Sequence, residues 1–222
     1  IFQASHMQRC LEVGVDSANL FLLRADANDK FGLIVDSDAT VVTPGFHVFD
    51  WYGRYFNGSI YKTVLRTPQA VWKYSGSMAS SPIPTTICPY VEAISSFDGD
   101  AASVIFVNKH LTDTMNVNLK WTGLADDMTF AEIRTLNAVS VTSMTPQLSV
   151  SSLANIQGNQ LQLNLPPHSV CLVRLSKCDS RYGFLPADFN RDCYVNFKDL
   201  LFFAERWLDC TAYEPPCNYR PE

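Results

Sequence analysis

"YVEAISSFDGDAASVIFVNK", Tyr90 to Lys109, decides the fold. It holds two short runs, "YVEAISSF" and "AASVIFVNK", joined by the turn signal "DGD". Short runs separated by such a turn signal read as strands of an antiparallel arrangement. The neighbouring sequence repeats the idea with "SIYKTVLR", "QAVWKYS", "TMNVNLKW", "TFAEIRTLN", "QLQLNL" and "SVCLVRL". Many of these alternate apolar with polar residues, as strands with one wet face do. Turn signals "LPP" and "QGN" separate several of them. The expectation is an antiparallel β-sandwich over residues 58–176. The stretch "VTSMTPQLSVSSLAN" reads as a long loop, and no internal repeat is evident.

Composition bounds the classes available. The chain has 222 residues, 47% of them hydrophobic and 18% charged, which suits a packed core and argues against wholesale disorder. The formal net charge of -5 argues against a nucleic-acid surface, which needs clustered Lys and Arg. No apolar run has the length of a membrane span. The chain opens with "IFQASHMQRC", which reads as the middle of an amphipathic helix and suggests a natural N-terminus upstream.

Before the strands, residues 1–57 alternate helix and strand signals. "FQASHMQRCLEVG" places Phe2, His6, Met7, Cys10 and Leu11 near one helical face, with Gly14 as its C-terminal stop. "ANLFLL" reads as a short buried strand and "FGLIVDS" as a second extended piece. "PGFHVFDWYGRYF" returns to helix, with Phe46, Phe49, Tyr52 and Phe56 spaced by three and four. Such units resemble the end of a parallel α/β fold.

After the strands, "SKCDSRYGFLPA" reads as a linker, and "DFNRDCYVNFKD" follows from Asp188 to Asp199. A twelve-residue calcium loop needs oxygens at positions 1, 3, 5, 9 and 12 and a main-chain carbonyl at 7. Those positions are Asp188, Asn190, Asp192, Asn196, Asp199 and, for the carbonyl, Tyr194. Three carboxylates converging on one site repel one another unless a cation neutralises them. Position 6 is Cys193 where Gly is usual, so the tight turn costs backbone strain. Val195 at position 8 suits an anchor in a small core. "LLFFAERWL" then predicts a helix with Leu200, Phe203, Ala204, Trp207 and Leu208 on one side.

Cys178, Cys193, Cys210 and Cys217 crowd into this tail, a pattern of disulfide stapling in an oxidising compartment. CxxC pairs and CxxH spacings are absent, which argues against zinc. Nine helical residues span roughly 14 Å, too far for a Cys193–Cys210 bridge, so the expected pairs are Cys178–Cys210 and Cys193–Cys217.

The tail, residues 177–222, resembles a dockerin-like module on the strength of "ADFNRDCYVNFKDLLFFAERWLDC", with Asp at position 12 as dockerin loops have it. It carries one loop where type I dockerins carry two. The resemblance implies a secreted or cell-surface bacterial protein and a cohesin-like or cell-surface partner. A second resemblance covers about residues 1–176. "MQRCLEVGVDSANLFLL", "FGLIVDSDATVVTPGFHVFDWYGRYF" and the closing "LPPHSVCLVRL" are similar to the end of the catalytic barrel and the C-terminal domain of family 51 α-L-arabinofuranosidases. That family implies a retaining hydrolase of arabinose-containing plant polysaccharides, built on a (β/α)8 barrel followed by a β-sandwich. Residues 1–57 are then the last barrel units. On that resemblance the chain is expected to start after the seventh strand, with the two glutamates of the double displacement lying outside it. No catalytic residue is assigned, since Glu12, Glu92, Glu132, Glu205, Glu214 and Glu222 match neither motif.

Several residues have a structural and a functional reading. Arg24, Asp26 and Asn28 fall on the loop after the eighth strand, either as substrate contacts at the barrel rim or as a solvated loop. Trp51, Tyr52, Tyr55 and Phe56 at helical spacing read as packing between barrel and sandwich rather than as a sugar-stacking platform. His6 and His47 read as packing or capping groups, His168 as a turn residue, His110 as exposed. The two resemblances together imply the C-terminal portion of a secreted glycosidase, expected to be inactive by itself. Its alternative is a non-catalytic carbohydrate-binding or anchoring protein.

Overall fold

The computed structural model describes residues 1–15, 24–26, 33–36, 41–61, 63–72, 86–124, 128–140, 143, 146–153, 156, 158–179 and 185–207. In chain order the elements are α1 (Phe2–Glu12), β1 (Arg24–Asp26), β2 (Ile34–Asp36), β3 (Val41–Val42), α2 (Pro44–Tyr55), β4 (Ser59–Tyr61), β5 (Gln69–Trp72) and β6 (Thr86–Pro89). They continue as β7 (Val91–Phe97), β8 (Ala101–Asn108), β9 (Met115–Lys120), β10 (Phe130–Asn137), β11 (Gln147–Leu153), β12 (Gln160–Leu165), β13 (Ser169–Ser176) and α3 (Phe197–Glu205).

The chain is mainly β. Six strands form an antiparallel sheet in the order β11-β10-β13-β8-β7-β4. The opening hairpin is its β7–β8 pair, with Val91 opposite Asn108 and Phe97 opposite Ala102. Gly99 turns it at a φ of 101°, and Asp98 Oδ1 accepts the amides of Asp100 and Ala101 at 2.9 and 2.7 Å. β9 pairs with β12 and β5 with β6 as two separate ribbons. β1 runs parallel to β2, and β3 pairs antiparallel with β2.

Every residue of β8 and all but Arg174 of β13 are buried, because both faces of the sheet are covered. On one face Val104, Phe106, Cys171 and Val173 pack with Leu161, Leu163 and Leu165 of β12 and with Met115, Val117 and Leu119 of β9. This layer is the sandwich, and β12 alternates exposed and buried residues as a one-sided strand must. On the other face Ile105, Val107, Val170 and Leu172 meet Ala4 of α1 and Val48, Trp51 and Tyr52 of α2.

The helices have local causes. Thr43 precedes Pro44, whose fixed φ suits the first helical position. α1 ends in a Schellman arrangement at Gly14, in the left-handed region at φ 72°. Its N–H bonds the Leu11 carbonyl and that of Val15 bonds the Cys10 carbonyl. The buried Gln8 donates from Nε2 to the Ile105 carbonyl at 3.1 Å, and the buried Tyr52 hydroxyl donates to the Ala4 carbonyl at 3.3 Å. Burial pushes the Tyr52 phenol well above its ordinary range. Tyr55 takes the guanidinium groups of Arg134 and Arg174 over its ring, at 5.3 and 5.5 Å from the centroid. The aromatic group of α2 therefore packs against the sheet, as its spacing suggests.

Several strands differ from the sequence reading. The expected loop around residues 141–155 contains β11, which pairs with β10 along Gln147–Leu153 and has all seven residues exposed. It lies at the sheet edge, buries no face, and so carries no core pattern to read. β6, paired with β5, is likewise absent from the eight runs. The expected strand "ANLFLL" lies outside the described residues. Arg24 and Asp26 fall in β1 rather than on a loop, and Asn28 lies outside the described residues.

Two substitutions test this packing. Trp51→Ala, at a side chain 1% exposed, should lower unfolding free energy by about 3–5 kcal/mol in urea denaturation. Gly58→Ala should cost about 1–3 kcal/mol, because its Cβ would clash with the Phe97 carbonyl oxygen. Two-state curves with unchanged midpoints would contradict the arrangement.

Candidate metal centre

The acidic loop begins at a turn in which the Asp188 amide donates to the Leu185 carbonyl at 2.9 Å. Asp188 Oδ1 accepts the Asp192 amide at 3.1 Å and Oδ2 the Cys193 amide at 2.9 Å. Asn190 Oδ1 accepts the Asp192 amide at 2.9 Å, and Asp192 Oδ1 that of Tyr194 at 3.0 Å. Short polar side chains that bond the backbone a few residues on wrap it into successive turns.

The loop closes on α3. Asn196 is its N-cap, with Oδ1 accepting the Lys198 amide at 2.8 Å. Asp199 returns the bond from Asn196 at 2.7 Å, completing a capping box. Its other oxygen accepts the Asn190 amide at 3.3 Å, so one carboxylate ties loop start, loop end and helix. The Asn196 amide, with those of Asn190 and Phe189, holds the Asp199 carboxyl below its ordinary range against the opposing effect of burial.

Asp188 and Asp199 are 5% and 2% exposed and Asp192 is half-buried. Each offers one oxygen in a group spanning no more than 4.8 Å. Asn190 bonds from Nδ2 to Asp192 Oδ2 at 3.3 Å, and Asn196 Nδ2 lies 3.5 Å from the Tyr194 carbonyl. Lys198 Nζ stands 3.8 Å from Asp192 Oδ2, beside three carboxylates. A set of oxygens with this excess of negative charge suits a hard divalent cation.

The loop is fastened to the sheet at two places. Arg191 Nη1 lies 2.8 and 2.7 Å from the two carboxylate oxygens of Asp100, in the β7–β8 turn. Cys193 is disulfide-bonded to Cys178, just past β13, with 5.5 Å between Cα atoms. This overturns the expected pairs Cys178–Cys210 and Cys193–Cys217. The loop folds back beside the end of β13, which helix length alone does not reveal. Cys210 and Cys217 lie outside the described residues. Cys193 takes a φ of 75° and Arg191 one of 57°, so the strain expected at position 6 is present.

Around the loop the expectation of a small core fails. Val195 is 51% exposed, and Leu200 on α3 and Trp207 just past its end are 57% and 66% exposed. The single buried residue of α3 among those described is Asp199. Phe189, Phe203 and Trp207 contact one another in series, with ring centroids 5.3 and 4.7 Å apart.

The other singled-out groups have structural places. His110 is half-buried rather than exposed. Its Nδ1 accepts the Asp113 amide at 2.9 Å, and its ring lies 4.6 Å from that of Tyr90. His168 sits at a positive φ of 39°, its ring nitrogens 2.9 and 3.2 Å from the carbonyls of Ala138 and Leu111, consistent with a turn role. Burial lowers the His47 pKa, with Asp50 opposing. His6 Nε2 lies 3.7 Å from Cys10 Sγ. Glu92 pairs with Lys109 at 2.9 Å, and Glu132 is a buried residue of β10. Sequence reasoning passed over Asn108, wholly buried, whose Nδ2 lies 3.0 and 2.7 Å from the carbonyls of Leu165 and Pro166.

No family model matches the chain, and no curated protein matches it. Solved structures do share its fold. An α-L-arabinofuranosidase from Thermotoga maritima, solved as an arabinose complex, superposes with a TM-score of 0.59 at 16% identity, over 79% of this chain and 37% of that one. The GH51 arabinofuranosidase of Xanthomonas axonopodis pv. citri gives 0.55 at 22% identity, over 78% and 33%. The thermostable GH51 α-L-arabinofuranosidase of Thermotoga petrophila gives 0.50 at 16% identity, over 65% and 31%. The chain thus spans about a third of the length of these enzymes.

Asp199→Ala removes the reciprocal half of the capping box, the Asn196 bond, together with the Asn190 bond that ties the loop start. In chelator-treated protein it should lower the melting midpoint and reduce helical ellipticity. An unaltered spectrum and melting midpoint would mean that the carboxylate does not hold α3.

Proposed function

We propose that the chain is the C-terminal portion of a secreted glycoside hydrolase of the α-L-arabinofuranosidase kind. The observation that carries this reading is the shared fold, which extends over 79% of the chain in the Thermotoga maritima enzyme. In this reading residues 1–57 are the closing units of a (β/α)8 barrel, 58–176 the β-sandwich and 177–222 the tail. α1 and α2 bury one side against the sheet, which suits helices at a junction between barrel and sandwich. The reacting carboxyls of the retaining mechanism, about 5–5.5 Å apart, belong to the rest of the parent. The parent would act on arabinose-containing plant polysaccharides. The Cys178–Cys193 disulfide favours secretion or display at the cell surface, where oxidising conditions preserve such bonds.

The tail is proposed as a calcium site. Asp188, Asn190, Asp192, the Tyr194 carbonyl, Asn196 and Asp199 would hold the ion, which would relieve repulsion among three carboxylates within 4.8 Å. A second reading, a carbohydrate-binding or anchoring protein, is favoured by exposed apolar side chains on α3, where Phe197 and Leu201 are 87% and 60% exposed. A cohesin-like or cell-surface partner would cover them.

Three outcomes are expected. The 222-residue chain should leave an aryl arabinofuranoside unhydrolysed; measurable turnover would overturn the assignment of the reacting groups to the rest of the parent. Arabinoxylan affinity electrophoresis and pull-down with a cohesin domain separate the two readings, retention by the cohesin supporting the second. Calcium at a hundredfold excess over its Kd should stabilise the chain by about 2.7 kcal/mol, and Asp188→Ala should abolish that gain in calorimetry. No heat of binding at millimolar calcium would remove the metal from the proposal.

A further inference from the structure

At one end of the sandwich a cavity of about 460 Å³ opens between the segment leaving β9 and the turn before β12. Its volume falls in the range of sites for small organic molecules. Trp121, Leu124 and Met128 supply apolar lining, Met128 being almost fully buried while Trp121 and Leu124 pack against the sandwich core. Thr122 and Asn159 are exposed and line the same space with a hydroxyl and an amide. Gly123 and Gly158, both at positive φ, complete the lining without side chains.

The aromatic and the amide are held in register. The Trp121 amide donates to the Asn159 carbonyl at 3.1 Å, and Asn159 Nδ2 donates to the Trp121 carbonyl at 2.9 Å. That leaves the amide oxygen and one N–H of Asn159 to meet a ligand. The mixture narrows the ligand class. A phosphate or carboxylate would find no cation among the described lining residues. A purely apolar molecule would strip water from the amide and hydroxyl and give nothing in return. A saccharide ring matches both parts, with a C–H face for the indole and hydroxyls for the amide and Thr122.

We propose that this cavity, lined by Trp121, Thr122 and Asn159, binds one neutral sugar unit of a glycan. The proposal does not depend on the calcium site or on the arabinofuranosidase reading. The test is an amide and indole NMR titration of the 222-residue chain with arabinotriose, xylotriose, inorganic phosphate and cyclohexanol. Saturable shifts at Gly123, Gly158, Asn159 and the Trp121 indole are expected for a neutral trisaccharide and not for phosphate or cyclohexanol. Trp121→Ala should weaken binding roughly tenfold, the loss of one stacking contact. Because Trp121 also packs on the core, the exposed Asn159→Ala is the second variant, expected to weaken binding severalfold with an unchanged melting midpoint. Absence of shifts at about 50 mM of either trisaccharide, far above a millimolar Kd, would overturn the proposal. So would equal response to phosphate or cyclohexanol, or sugar binding that survives both substitutions.

Discussion

The structure depends on covering both faces of β8 and β13. These two strands sit in the middle of the six-stranded sheet and expose almost nothing. Their side chains alternate between two separate hydrophobic clusters. A sheet with a single covered face would leave Ile105, Val107, Val170 and Leu172 in water. At about 1.5–3 kcal/mol for each such side chain, that loss would rival the whole stability of a domain. Helices α1 and α2 are therefore part of the sheet's own core. Gln8 shows how tight the fit is, since it is buried in the helix layer and still reaches a strand carbonyl.

The sandwich layer follows a different rule. β9 and β12 present one face to the core and one to water, and their sequences alternate accordingly. Where the sandwich layer ends, the polar groups are closed locally. Asn108 gathers the carbonyls of Leu165 and Pro166 at one corner, and the Trp121–Asn159 pair ties another. The buried Asn108 amide left without its partners would cost about 1–3 kcal/mol, so that corner fixes the chain path on either side of it. The open cavity lies beside the second corner, where two glycines leave room.

What the sequence discloses tracks how each element is stabilised. The strands around β7 and β8, the two helices and the acidic loop carry local signals: alternation, helical spacing, a Gly14 stop, and oxygens at loop intervals. Each is legible because the residues that make the element also satisfy it. β11 lacks such a signal, since an edge strand held by hydrogen bonds to β10 needs no buried side chain. The exposure of Val195 and the half-burial of His110 depend on what the chain brings alongside, which local pattern does not record. The Cys178–Cys193 pair depends on the loop returning to the end of β13, a long-range fact invisible in spacing.

That pairing also explains the residue at position 6 of the acidic loop. A glycine there would take the left-handed conformation freely, whereas Cys193 does so at a cost on the order of 1 kcal/mol. A glycine has no sulfur to reach Cys178. Closing a loop with a sequence separation of 15 stabilises by about 3 kcal/mol in the chain-entropy account, more than the strain removes. The second left-handed residue, Arg191, is tethered too, through Asp100 at the tip of the β7–β8 hairpin. Its pair is partly exposed and worth at most about 1 kcal/mol, so the disulfide is the stronger fastening. Both strained positions thus coincide with both attachments to the sheet. The acidic loop owes its shape to the sandwich as well as to its own turns, because α3 buries almost nothing that could hold it alone.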